Sequence, residues 1–223
     1  MFDLDLKLEL LSDTVLGRGD GVAGLVDIEV QHDEFGCPYL QGRTLRGLLV
    51  EECANILYAL ELQNMASQWI PAAHRLFGDP GSSQESMALL KIGDATLPAD
   101  LQQAIRFQVH QGRITPQEIF HSLTEIDQQT AMNPVTGAPK TGSLRSLRVI
   151  IRKTILTSHL SFLNEPEPSD QGLLAACAMS LRRMGTNRNR GRGAVRVQLV
   201  DQTGNDLTST YFTYFKNQVE ANQ

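Results

Sequence analysis

The chain has 223 residues, of which 41% are hydrophobic, and its formal net charge is −5. This length suffices for one sizeable core, so we expect a single domain, residues 1–223, with insertions. No apolar run approaches the roughly 20 residues of a membrane-spanning helix, and the opening MFDLDLKLEL lacks the features of a signal peptide. The three scattered cysteines fit neither a disulfide framework nor a zinc knuckle. We therefore expect a cytoplasmic protein that does not bind membranes.

The first part of the chain predicts a strand, a loop and a long helix. Residues 2–10 alternate between apolar and charged side chains, and this period of two predicts a half-buried strand. Glycine-rich residues 16–27 predict a loop, and residues 33–38 predict a turn. From Thr44 to Leu60 the apolar residues recur at spacings of three and four, which predicts an amphipathic helix of about five turns.

The middle of the chain predicts short elements and one long insertion. Residues 76–86 predict a break, and residues 87–97 and 104–110 predict strands. The sequence TPQE at residues 115–118 is a capping box with proline at the first helical position, which predicts the start of a helix. Residues 127–143 have no apolar periodicity and predict a long exposed loop or hairpin, with a mobile surface insertion as the alternative.

The last part of the chain completes an α+β pattern. Residues 144–156 predict a strand, a helix is expected from about Asp170 with Gly185 at its C-cap, and residues 195–199 alternate as a strand. The order of these elements is compatible with a βαββαβ ferredoxin-like sheet that carries insertions.

Positive charge is concentrated near the C-terminal end of this pattern. Residues 140–196 hold eleven Lys/Arg and three acidic residues, whereas the rest of the chain has a net charge of −13. Such asymmetry is typical of a surface that binds a polyanion, although it also fits arginines gathered on a solvated face.

The sequence MGTNRNRGRGAVRVQLV, residues 184–200, interleaves four arginines with three glycines. A helix with an apolar stripe precedes this tract and an alternating strand follows it, so we expect a structured loop instead of a disordered tail. Exposed backbone N–H groups and arginine side chains both bind phosphate oxygens. The tract therefore predicts phosphate binding, and a glycine loop needed only for tight packing is the alternative.

Four segments, in order, resemble motifs of the RAMP superfamily, the RNA-binding subunits of CRISPR effector complexes. They are PYLQGRTLRGLLVEE (residues 38–52), HRLFG (74–78), TEIDQQTAMNPVTGAPKTGSL (124–144) and LRRMGTNRNRGRGAVRVQL (181–199). The resemblance spans residues 4–200 and is greatest to the backbone subunit of type III complexes. It implies a ferredoxin-like or RRM-like fold with helical insertions, a protruding thumb hairpin over about residues 124–144 and a phosphate loop over about residues 184–194.

The resemblance implies a role in antiviral defence, with guide RNA and complementary target RNA as partners. Other effector subunits, or further copies of the chain, are expected to assemble with it. The implied RNA-binding residues are Gly42, Arg43, Thr44, Arg46, Arg145, Arg148, Gly185, Arg188, Arg190, Gly191, Arg192 and Gly193. The implied thumb residues are Asp127, Thr130, Met132 and Pro134, of which Met132 and Pro134 are candidates for apolar wedges between base pairs.

Slicing members of the family carry one aspartate in the loop after the first strand, and this position falls on Asp27. The resemblance implies metal-dependent endoribonuclease activity on target RNA within the complex, with Asp27 holding Mg²⁺ or Mn²⁺ and an adjacent 2′-hydroxyl attacking. Glu29, His32 and Asp33 are possible helpers. On strand-like alternation, Asp27, Glu29 and Asp33 would face the same way.

Three other functions stay open at this point. The chain could be a purely structural RNA-binding subunit without a cofactor. It could instead be a metal-independent endoribonuclease that processes guide RNA with a histidine such as His32 as acid or base. An RNA-binding domain outside CRISPR systems is the fourth possibility.

Overall fold

The computed structural model describes residues 2–78 and 88–221. In that part of the chain the strands are β1 (Phe2–Leu10), β2 (Leu90–Thr96), β3 (Thr124–Gln129), β4 (Arg145–Ile150), β5 (Ile155–Phe162) and β6 (Val195–Val200). The α-helices are α1 (Gly42–Glu61), α2 (Ile70–Phe77), α3 (Ala99–His110), α4 (Pro116–Leu123), α5 (Pro168–Ser180) and α6 (Thr208–Glu220). The predicted N-terminal strand and the long helix are both confirmed.

Four of the strands form an antiparallel sheet in the order β2-β5-β1-β6. Helix α1 connects β1 to β2, and α5 connects β5 to β6. This connectivity and strand order are those of the predicted βαββαβ ferredoxin-like fold. The insertion between β2 and β5 contains α3, α4 and the two-stranded β3-β4 sheet.

The core lies on one face of the four-stranded sheet. Leu4, Leu6, Leu8 and Leu10 of β1 are at most 2% exposed and belong to one buried cluster with residues of α1 and α5. The strict alternation of β1 places these leucines on one face, and their burial stabilises the packing of the two helices on the sheet. Cys37, Cys53 and Cys177 are buried free thiols, and burial, reinforced by Asp33, raises the pKa of Cys37 to about 11.

The predicted hairpin protrudes from the second sheet. Strands β3 and β4 pair from Thr124 opposite Ile150 to Gln129 opposite Arg145, and the chain between them turns back through a bridge between Met132 and Pro139. We call this hairpin the thumb. Its base is attached to the loop that follows β1, because Ile28 forms a parallel bridge with Leu147.

The prediction of a strand over residues 104–110 is wrong, because these residues lie in α3. Ile105, Phe107 and Val109 alternate in the sequence, but Phe107 is 56% exposed while Ile105 is buried. The helix therefore buries a narrow stripe and leaves an aromatic residue in solvent, a pattern that local alternation cannot distinguish from an edge strand.

The single strand predicted over residues 144–156 is also wrong, because the chain turns sharply between β4 and β5. Lys153 has φ of 70° there, and the backbone N–H of Arg152 donates to Oδ1 of Asp13 at 2.9 Å. The turn moves the chain from the thumb sheet to the central sheet, where β5 pairs with β1 and β2.

Several element boundaries differ from the prediction. Helix α5 begins at Pro168 and ends at Ser180, so Gly185 lies in the following loop and is not its C-cap.

The capping box at Thr115 and Glu118 is confirmed. The sequence did not predict α6, whose Phe215 is buried with its ring 4.5 Å from that of Trp69.

The expected break over residues 76–86 agrees with the end of α2 at Phe77, where Gly78 has φ of 69°. The rest of that break, from residue 79, and Met87 at the start of the predicted strand lie outside the described residues. Among the described helices, none is both long enough and apolar enough to span a membrane.

Candidate nucleic-acid interface

A groove of about 860 Å³ opens along the two arms of the thumb, and Arg190 of the glycine-rich loop, residues 184–194, borders it. The two arms of the thumb line it together with Lys140, Arg145 and Arg190, all of which are exposed. Within residues 2–78 and 88–221, no ion pair or hydrogen bond occupies the side chain of any of these three cations. Unpaired cations along an open groove are suited to binding a phosphate backbone. We call this feature the thumb groove.

The glycine-rich loop packs closely on the segment that follows β1. Gly185 and Gly193 have φ of 77° and 71°, and a Cβ at these positions would collide with the carbonyl oxygens of Val15 and Met184. The backbone N–H of Thr186 donates to Val15 O at 3.1 Å. These two glycines therefore serve loop packing, which was the alternative to a direct role in phosphate binding. Gly191, with φ of 78°, has open space around it.

The arginines of the loop have different surroundings. Arg192 forms an ion pair with Asp127 of β3 at 2.5 Å, and Arg188 lies 3.6 Å from the carboxylate of Glu51 in α1. These two side chains tie the loop to the thumb and to α1. Arg190 is the loop arginine that faces the thumb groove. Of the three predicted arginines in this loop, Arg190 is therefore the best placed to bind RNA.

The N-terminus of α1 is occupied by a carboxylate from β2. Gly42 is buried, and its backbone N–H donates to Oδ1 of Asp94 at 2.8 Å. The prediction that this N–H binds phosphate disagrees with the structure, because Asp94 already satisfies it and would repel a second anion. Arg43 and Thr44 remain exposed, as does Arg46, whose guanidinium donates to the carbonyl of Phe77.

Arg148 and Glu29 form a buried ion pair. Nε of Arg148 donates to Oε1 of Glu29 at 2.7 Å, and both residues are at most 4% exposed. The guanidinium also lies 4.8 Å from the centre of the Phe120 ring. The predictions that Arg148 binds RNA and that Glu29 assists catalysis both disagree with this geometry, because neither side chain reaches solvent.

Asp27 is exposed and lies at the base of the thumb. Its Oδ2 accepts a hydrogen bond from the Ser146 backbone N–H at 2.8 Å, and its own N–H donates to Ser146 O at 2.7 Å. Asp27, Leu144 and Ser146 line a cleft of about 430 Å³ with the glycine-containing loop from residue 21. The carboxylate is thus fixed to β4 while it faces a cleft open to solvent.

The structure does not bring the other predicted helpers to Asp27. The ring of His32 packs 4.4 Å from that of Phe120, and Oδ1 of Asp33 accepts backbone hydrogen bonds from Phe35 and Cys37. The predicted common face of Asp27, Glu29 and Asp33 is wrong, because residues 16–33 form isolated bridges instead of a regular strand.

The donor set at Asp27 fits a metal ion shared with a phosphate-bearing ligand better than one held by protein alone. Within the described ranges, no three His, Cys, Asp or Glu side chains are grouped so that they could hold a metal ion. Mg²⁺ is commonly bound by one or two carboxylates together with water and substrate phosphates. A single exposed carboxylate that faces an open cleft at the base of the thumb is compatible with that arrangement.

Comparison with known proteins places the chain in a family. The sequence model described as the RAMP superfamily matches residues 7–196. The chain belongs to the RAMP superfamily. No significant match to a curated protein was found.

Solved structures share the fold of this RAMP protein. A chain of the structure described as Type III-B Cmr-beta bound to cognate target RNA is 13% identical, with a TM-score of 0.61 over 89% of this chain and 97% of that chain. A chain of the Type III-B Cmr-beta apo state is 14% identical, with a TM-score of 0.62 over 90% and 98% of the two chains.

The sequence did not single out Lys140 in this RAMP protein. This lysine lies on the return arm of the thumb, and its backbone N–H donates to Ala131 O at 2.8 Å, which fixes it opposite the outgoing arm. The available signals were its position inside the insertion and at the start of the basic segment, residues 140–196, but one lysine in an exposed hairpin is usually a solvated side chain.

We expect Arg148→Ala to lower the free energy of unfolding much more than Arg145→Ala does. Removing Arg148 leaves the Glu29 carboxylate buried without its partner, which typically costs about 3–5 kcal/mol. Arg145 is exposed, so its removal should change the free energy of unfolding by at most about 0.5 kcal/mol. Urea denaturation of both variants measures the difference. Equal stabilities would contradict the structural role assigned to the ion pair.

The glycine-rich loop offers a second matched pair, Gly185→Ala and Gly191→Ala. Both residues have φ near 78°, so each alanine should cost about 1–2 kcal/mol from backbone strain. Only Gly185→Ala also places a methyl group against Val15 O, which adds about 1–3 kcal/mol. Thermal unfolding should therefore give a clearly lower midpoint for Gly185→Ala; a lower midpoint for Gly191→Ala would argue against the observed packing.

Proposed function

We propose that this RAMP protein is a backbone subunit of a type III CRISPR ribonucleoprotein that binds guide RNA and positions complementary target RNA for cleavage. Its membership of the superfamily and its fold support this assignment. In one structural relative, the complex is described as bound to cognate target RNA. We infer the same class of ligand, and assembly with other effector subunits or further copies, for this chain.

The thumb groove is the observation that carries the proposal. Lys140, Arg145 and Arg190 line one continuous space, and none of them is neutralised by a carboxylate within the described part of the chain. Their side chains come from the thumb, from β4 and from the glycine-rich loop, so an RNA strand in the groove would contact all three segments. Contacts to phosphate fix position without reading sequence, which suits a subunit whose specificity comes from base pairing.

We further propose that Asp27 takes part in cleavage of the target RNA. The Ser146 N–H holds one carboxylate oxygen, so the group is oriented toward the cleft at the base of the thumb. A divalent ion bound by Asp27 and by RNA phosphate would offset negative charge on the phosphate and the leaving oxygen. Glu29 is buried, and His32 packs on Phe120, so Asp27 is the residue we assign to this role.

We expect Arg145→Gln and Arg190→Gln to weaken RNA binding each by about three- to tenfold, largely independently of sequence. Each change removes one unpaired cation from the thumb groove. Fluorescence anisotropy with a labelled single-stranded RNA measures the dissociation constant.

Arg113→Gln is the control for these variants, since Arg113 lies between α3 and α4 and does not line the thumb groove. If the two groove variants bound RNA as tightly as Arg113→Gln, the proposed interface would be wrong.

We expect Asp27→Asn to abolish metal-dependent cleavage while RNA binding is kept. Asparagine can still accept the Ser146 hydrogen bond, but it loses the charge that binds the cation. Cleavage in the reconstituted complex should fall by about 100-fold or more. A gel assay of complementary target RNA with Mg²⁺ or Mn²⁺ measures the rate.

Asp20→Asn removes the same charge from the same loop, where Asp20 is paired with Arg18, and should leave cleavage intact. Unchanged cutting by Asp27→Asn would make the chain a scaffold subunit. Cutting that survives a chelator but is lost in His32→Ala would instead favour guide processing.

A further inference from the structure

We propose that the RNA path continues beyond the glycine-rich loop into a second cleft, where Arg152 binds a phosphate of the same strand. This inference rests on the proposed RNA binding and adds a binding residue from the turn between β4 and β5. Sequence motifs did not indicate this turn, and its role follows from its position beside Arg190.

The second cleft lies directly behind the loop and has a volume of about 290 Å³. Leu11, Ser12 and Asp13 form one wall, Arg152 lies at the β4-β5 turn, and Arg190, Gly191 and Arg192 complete it. Arg190 lines both this cleft and the thumb groove. The two spaces are therefore adjacent, and a strand leaving the groove past Arg190 enters the second cleft.

Backbone contacts fix the position of Arg152. Its N–H donates to Oδ1 of Asp13 at 2.9 Å, and the next N–H, from Lys153, donates to Leu10 O at 2.7 Å. On the opposite wall, the N–H of Ala194 donates to the hydroxyl oxygen of Ser12 at 2.9 Å. The turn and the glycine-rich loop are thus both bonded to the segment after β1, so the cleft is preformed.

The charges in this cleft favour an anion. Arg152 and Arg190 are exposed, and their side chains have no ion-pair partner in the described residues. Of the two carboxylates nearby, Asp127 is neutralised by Arg192, and Asp13, whose Oδ1 accepts the Arg152 N–H, leaves one negative charge against Arg152 and Arg190. Two free guanidinium groups therefore remain, and guanidinium binds phosphate oxygens in a bidentate manner.

The shape of the cleft favours an extended nucleic-acid strand over a folded protein partner. Its volume is about a third of that of the thumb groove, so the second cleft is too small to admit a helix about 10 Å wide. Gly191 has open space where a side chain would stand, so a backbone can approach the loop closely. Exposed Leu11 provides an apolar contact for a ribose.

The test compares Arg152→Gln with Lys153→Gln, which remove the same charge from adjacent exposed positions. Of these two residues, only Arg152 lines the cleft. Binding of the full chain to labelled oligouridylate is measured over a series of salt concentrations. We expect Arg152→Gln to weaken binding about three- to tenfold and to lower the slope of log K against log salt by about 0.7. Lys153→Gln should bind like the wild type, and Arg152→Lys should keep most of the affinity.

Arg145→Gln in the same assay separates failure of this inference from failure of the proposed function. If Arg145→Gln weakens binding while Arg152→Gln matches Lys153→Gln in affinity and slope, the Arg152 site is wrong and RNA binding in the thumb groove stands. If neither variant weakens binding, both proposals fail. If Arg152→Gln binds RNA normally but no longer assembles with a neighbouring subunit, the cleft binds protein and the inference is overturned.

Discussion

The buried ion pair between Glu29 and Arg148 fixes the part of the molecule on which the candidate interface depends. The segment after β1 has no regular strand of its own, so it needs a specific anchor to hold one conformation. Arg148 provides this anchor, because its Nε donates to Oε1 of Glu29 at 2.7 Å. The guanidinium of Arg148 is itself held over the ring of Phe120 and donates to the Thr124 hydroxyl oxygen. Burying two charges is costly, but once both are buried, removing either one leaves the other without a partner and strongly destabilises the fold. The pair therefore specifies how the segment docks on β4.

The rest of the interface is arranged by its distance from this anchor. Asp27 lies two residues before Glu29 and is held by Ser146, which lies two residues before Arg148. The same spacing along both segments gives a short parallel arrangement, in which Ile28 and Leu147 form a bridge between the two polar pairs. Arg145 follows at the exposed end, where β4 leaves the thumb. The two paired segments thus place the buried ion pair, the fixed carboxylate of Asp27 and the free guanidinium of Arg145 in order from the core to the groove.

Local sequence patterns predicted the elements whose burial is decided by nearby residues. The alternation in β1, the leucine spacing in α1 and the capping box at Thr115 all act within a few residues, and all three are confirmed. The sequence failed where a distant contact decides the outcome. Residues 144–156 contain enough β-branched residues for one strand, yet Asp13, far away in the sequence, holds the turn that divides them.

The same limit applies to the candidate site. The Arg/Gly tract predicted a structured basic loop, and its glycine backbone angles agree with that prediction. The role of each arginine could not be predicted, because the partners of Arg148 and Arg192 are carboxylates 119 and 65 positions away. A count of arginines treats them alike, whereas paired arginines hold the fold and unpaired ones remain able to bind a ligand.

This division also explains how a chain with a net charge of −5 can present the cationic groove that we propose binds RNA. At physiological ionic strength the Debye length is about 8 Å, so an exposed acid farther away than that contributes little at a given phosphate. The local balance within the thumb groove decides binding, and there the cations Lys140, Arg145 and Arg190 have no acidic partner among the described residues. Charge elsewhere acts at longer range, where it slows the approach of a polyanion at low salt. Neutralising acids outside the groove would therefore alter the association rate of RNA more than it would alter the contacts proposed for the groove.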